Sequence, residues 1–128
     1  MVFVSVLTDQ MIAAGELLTR QLDQINFPVS ASLWLYDSES NIYHLIIASP
    51  EVRTYGPIWG YDRIRSILFR NPAISHTISL NNISVVEDKD PLIISLRSAI
   101  GRRGVSGMRL SANAVNGVFI EDAFIYKL

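Results

Sequence analysis

Residues 30–49 constrain the fold more than any other stretch of this chain. They read Ser-Ala-Ser-Leu-Trp-Leu-Tyr, then Asp-Ser-Glu-Ser-Asn, then Ile-Tyr-His-Leu-Ile-Ile-Ala-Ser. Two runs rich in aromatic and branched residues flank a short polar turn, which is the signature of a β-hairpin. Alternation sends Ala31, Leu33 and Leu35 one way and Ser32, Trp34 and Tyr36 the other. On the return strand Tyr43, Leu45 and Ile47 alternate with Ile42, His44, Ile46 and Ala48. Neither face is polar throughout. Such a hairpin belongs at the centre of a sheet covered on both sides, or against a partner. Trp34, Tyr36, His44 and Ile46 are expected on one face, and that face, if uncovered, or the nearby Tyr55–Trp59 loop is expected to form the interface of a homodimer or larger assembly.

The remaining pattern supplies helices and further strands around that hairpin. Leu7, Met11, Ala14, Leu18, Leu22 and Ile25 recur at helical spacing and predict a helix from Thr8 to Asn26, stopped by Pro28. Gly15 within it costs about 1 kcal/mol relative to alanine, a cost that close packing would explain. Pro50–Trp59 reads as a loop, and Ile58–Arg70 as a second helix ended by Asn71-Pro72. Ile74–Leu80 alternates like a strand, Asn81-Asn82 supplies a turn, and Ile83–Glu87 is expected to return beside it. Asp90-Pro91 starts a third helix that ends at Gly101 or Gly104. Val105–Val115 and Val118–Leu128 flank the turn Asn116-Gly117 as a last hairpin. The order α-β-β-α-β-β-α-β-β predicts an α+β fold, with a largely antiparallel or mixed sheet packed by helices. The helix–hairpin start resembles small sensory domains of the GAF or profilin-like kind; the resemblance rests on element order and carries no residue roles with it.

At 128 residues the chain fits one domain, able to bury roughly two-thirds of its unfolded surface. It has no cysteine, which removes disulfides, thiolate zinc sites and cysteine nucleophiles. The N-terminal apolar run is too short and lacks the basic flank of a signal peptide, and no stretch reaches the ~20 apolar residues of a membrane span. A cytoplasmic protein with no membrane contact and no cofactor is expected. The net charge of −1 hides an asymmetry. Residues 1–52 carry Arg20 against six carboxylates, whereas residues 53–109 carry eight arginines and Lys89 against four. Either the two parts neutralise each other inside the fold, or the arginines face an anionic partner.

Four groups of residues are candidates for chemistry. Arg97, Arg102, Arg103 and Arg109 cluster around a Gly-Arg-Arg-Gly loop after the third helix. They suit a phosphate or nucleic acid, or simply the carbonyl end of the helix, where cations offset the dipole. Glu121 and Asp122 lie in the last strand. The two-residue turn sets Val115 against Val118 and Ser111 against Asp122, which places Arg109 diagonal to Asp122 and predicts an ion pair. It also puts Glu121 on an apolar face, so this acid is expected bulged outward, paired, or open to a cleft as part of a hydrolytic site. Glu87-Asp88-Lys89 resembles the tail of the PD-(D/E)xK nuclease motif, but Ile74–Leu80 supplies no acidic residue before it. His44 and His76 are each alone on a strand pattern, a weak basis for a metal. The expected function is a small non-catalytic interaction domain that forms a homodimer or binds another protein. Nucleic-acid or phosphate binding through the arginines stands second, and a hydrolytic enzyme using Glu121 and Asp122 third.

Overall fold

A computed structural model describes residues 6–101, 107–115 and 117–128. Helix α1 (Asp9–Gln24) starts where Thr8 accepts the Met11 N–H. Strands β1 (Ala31–Asp37) and β2 (Ile42–Ser49) form the expected hairpin. Helices α2 (Pro50–Tyr55), α3 (Pro57–Arg70) and α4 (Pro72–Ser75) follow, then β3 (Ile83–Glu87), α5 (Pro91–Ile100), β4 (Met108–Val115) and β5 (Val118–Lys127). The five described strands make one mixed sheet in the order β3-β2-β1-β5-β4, and the fold is α+β. All neighbours are antiparallel except β2 and β3, which are parallel.

Two expected elements differ. Ile74–Leu80 is not a strand: α4, a turn and a short 3-10 helix at Leu80–Asn82 occupy it. Ile74 and Ile78 are buried while His76 is exposed, so the effective spacing is four residues rather than two. The Asn71 carbonyl accepts from both Ile74 and Ser75, and Pro72 preorganises that turn at the first helical position. The second hairpin is therefore absent, and β3 pairs with β2 after a long crossover, as parallel strands require. Pro50–Trp59 is not an open loop either. Ser49 accepts the Glu51 N–H, Pro50 follows it, and one short helix forms before α3 begins.

The sheet has unequal covers. On the face of Trp34, Leu45 and Tyr126, helices α1, α2, α3 and α4 contribute Leu18, Leu22, Val52, Ile64, Ile67 and Ile74 to a large core. On the face of Leu33, Ile46, Ala123 and Ile125, Ile93 and Leu96 of the ten-residue helix α5 are the buried helical residues. Helix α1 approaches the first face closely because Gly15 has no side chain. A Cβ there would fall 2.8 Å from Trp34 Nε1 and closer still to Tyr126 Oη.

Candidate functional site

The cross-strand register decides which candidate side chains meet. Trp34 lies opposite Leu45 and Tyr36 opposite Tyr43, whereas His44 pairs with Leu35. Directly opposed residues share a face. Trp34 and Tyr36 therefore look toward α1, and His44 and Ile46 look toward α5. The expected four-residue aromatic patch is split between the two faces. Trp34 is a core residue, 1% exposed, whose indole N–H donates to Tyr126 Oη at 2.9 Å. Tyr126 in turn donates to the Ile12 carbonyl at 2.6 Å.

One rung of the α1-facing side gathers the predicted acid and arginine. Asp122 Oδ1 accepts from Arg109 Nε at 2.6 Å and from Ser111 Oγ at 3.0 Å. Its Oδ2 accepts from Arg109 Nη2 and from Tyr43 Oη, both at 2.5 Å. Burial opposes ionisation of Asp122, but the bonds from Arg109, Tyr43 and Ser111 outweigh it and hold the carboxyl below its ordinary range. Burial, reinforced by the bond to Asp122, pushes Tyr43 up to about 12. Tyr36 packs edge-on against Tyr43 at 5.1 Å and donates to Asn41. With four donors on its two oxygens, Asp122 ties β2, β5 and β4 together and has no lone pair directed at a cleft. Tyr43 is the member that sequence reasoning missed. It reaches across β1, and only the assembled strand order reveals that.

The arginine cluster is spent on internal contacts where it is described. Arg97 donates to the Ser30 carbonyl at 2.8 Å and to the Asp88 carbonyl at 3.3 Å, tying α5 to the residue before β1 and the residue after β3. Gly101 closes the helix by donating to the Arg97 carbonyl. Arg109 is the partner of Asp122. Arg102 and Arg103 lie outside the described residues. Glu121 is exposed: β1 pairs with β5 only from Leu35–Ala123 to Ser32–Lys127, so Glu121 stands beyond the covered sheet.

The other side of the sheet leaves a groove beyond the end of α5. Leu35, Asp37, Glu39, His44, Ile46, Ser84 and Phe119 line a space of about 440 Å³. Phe119 is 65% exposed at its rim. His44 Nε2 lies 3.6 Å from Asp37 Oδ2, while its Nδ1 is buried without a hydrogen-bond partner. Asp37 is held below its ordinary range chiefly by the Glu39 N–H and the Ser40 hydroxyl, which makes it a turn-forming acid first. His76 is far from this chemistry in the α4 segment. Among the described residues no three metal-ligating side chains converge, and no helix is long and apolar enough to cross a membrane.

The sheet edges differ as well. The outer side of β3 meets α3: the Val85 N–H donates to Tyr61 Oη at 3.1 Å, and a Cβ on Gly60 would lie 2.7 Å from Val85 Cγ1. The opposite edge is β4, eight residues long, and no described strand pairs with its outer side. No protein-family model, no curated protein and no solved structure matches the chain.

Proposed function

We propose that the protein is a non-catalytic interaction domain that forms a homodimer through the outer edge of β4. The observation that carries this reading is the edge itself. A terminal strand presents a row of unpaired N–H and C=O groups, and natural sheets blunt such edges with lysine, proline, bulges or covering elements. β4 has no proline or lysine, and its single charged residue, Arg109, is already neutralised by Asp122. A second β4 running antiparallel completes the same ladder on both copies, the self-complementary arrangement of a two-fold dimer. Exposed Phe119, on the strand that neighbours β4, adds apolar surface beside the junction.

Light scattering at micromolar concentration tests the reading. The expected mass is twice the 14.3 kDa chain. Ala114 is exposed on β4, so Ala114→Lys is expected to return a folded monomer by placing a charge where pairing would desolvate it. A monomeric wild-type chain overturns the proposal.

A further inference from the structure

Arginine pairing is uneven across this molecule. Arg20, Arg53, Arg65 and Arg109 each hold a carboxylate. Arg97 holds two carbonyls. Arg63 and Arg70, both exposed on α3, have no carboxylate within ion-pair distance among the described residues. Arg63 sits 5.0 Å above the Trp59 ring, and Arg70 donates to the Ser66 carbonyl at 3.4 Å. Trp59, Arg63, Ser66 and Arg70 follow one another at helical spacing, so they form a single stripe with the two guanidinium groups two turns apart, roughly 10 Å along the axis.

That stripe lines a channel. One space of about 360 Å³ lies between Ile25 and the α3 residues Trp59, Asp62, Arg63, Ser66 and Arg70. A second of about 580 Å³ shares Ile25, Trp59 and Arg63 with it and continues past Tyr55 and Glu51. Tyr55 is 61% exposed and tilts against Trp59 at 5.3 Å, so part of its ring is open to a stacking partner. Asp62 is neutralised by Arg65 at 2.7 Å. The acids at the far end are Glu51, which lines the second space, and Asp23, which lines an adjoining hollow with it, so the positive charge is concentrated toward Arg63 and Arg70 rather than beside Tyr55.

We propose that this α3 channel binds single-stranded nucleic acid, with Arg63 and Arg70 on successive stretches of phosphodiester backbone and Tyr55 stacking a base. The combination is the one that such ligands require: a positively charged groove to follow the backbone and an exposed aromatic ring that accepts any base. An acidic peptide would use the two arginines but leave the exposed ring unexplained. A duplex would gain nothing from Tyr55, because its bases are already stacked.

Fluorescence anisotropy with labelled oligo-U and oligo-dT tests the site, with a duplex of equal length and vesicles containing anionic lipid as competitors. Binding to the single strands is expected at low salt and is expected to weaken steeply as salt rises. Arg63→Ala with Arg70→Ala should lower affinity roughly tenfold and reduce the log–log salt slope by about 1.4, two phosphate contacts' worth. Arg102→Ala with Arg103→Ala should leave both unchanged. Arg70→Ala alone, at an exposed residue, serves if the double variant loses its circular dichroism. Absence of binding at low salt overturns the proposal. So does retention of affinity in the Arg63/Arg70 variant, equal loss in the Arg102/Arg103 variant, or displacement by duplex or vesicles at equal charge. The mass of the chain is measured on the same samples, so failure of self-association is read separately from failure of this site.

Discussion

The two edges of the sheet were built differently. At β3 the chain spent an aromatic hydroxyl and a glycine on closing the edge: Tyr61 takes the outward Val85 N–H, and Gly60 lets α3 lie close enough for it to do so. At β4 the corresponding investment points inward, as Arg109 and Ser111 grip Asp122, and no described strand pairs with the outer side. The proposed dimer rests on that contrast between a covered edge and one that no described strand pairs with, rather than on the mere presence of apolar surface.

Three substitutions sharpen that contrast, in order of effect. Gly60→Leu places a side chain inside Val85 and should cost about 3 kcal/mol by thermal or denaturant unfolding, as overpacking does. A neutral result would mean that α3 does not seal the β3 edge. Asp122→Asn should cost about 1–2 kcal/mol at neutral pH, because Arg109 is half exposed but the buried Tyr43 hydroxyl loses a charged acceptor. The folded carboxyl titrates below its unfolded value of about 3.9, so its stabilisation is complete above that pH and disappears as pH falls through the folded value. Stability measured from pH 5 downward should therefore fall less steeply in Asp122→Asn than in the wild type. Asp37 titrates in the same direction in both proteins, so the acid limb is shallower rather than flat. Identical limbs would remove Asp122 from the pH response. Tyr61→Phe should cost about 1 kcal/mol, the net value of one hydrogen bond, and should speed amide exchange at Val85. Unchanged exchange would show that water replaces the hydroxyl without loss.

The sequence was most readable where local geometry leaves no choice. Asn116-Gly117 fixes a two-residue connection, so the pairing of Ser111 with Asp122 and the reach of Arg109 follow from counting. The first hairpin was readable as a hairpin but not in its facing. Its connection holds four residues between Asp37 and Ile42, which pairs Trp34 with Leu45; one residue more or less would have placed Trp34 beside His44. Ile74–Leu80 satisfies two periods at once, and the helical one wins where Pro72 takes the first helical position and the Asn71 carbonyl accepts from Ile74 and Ser75. The parallel β2–β3 pair and the bond from Tyr43 to Asp122 depend on strand order, which no local pattern carries. The Trp59–Arg63–Ser66–Arg70 stripe was present as spacing, but which arginines lack partners is a property of the assembled surface.

The pairing of β1 with β5 has a consequence in time. These strands are neighbours at the middle of the sheet, yet Trp34 and Tyr126 are 92 residues apart in the chain. Closing so long a loop carries its entropic cost before any reward arrives. On this topology Leu33 and Trp34 are expected to gain their last cover only when β5 docks. Folding of this chain should be slow for its size and sensitive to anything that binds the first hairpin before then.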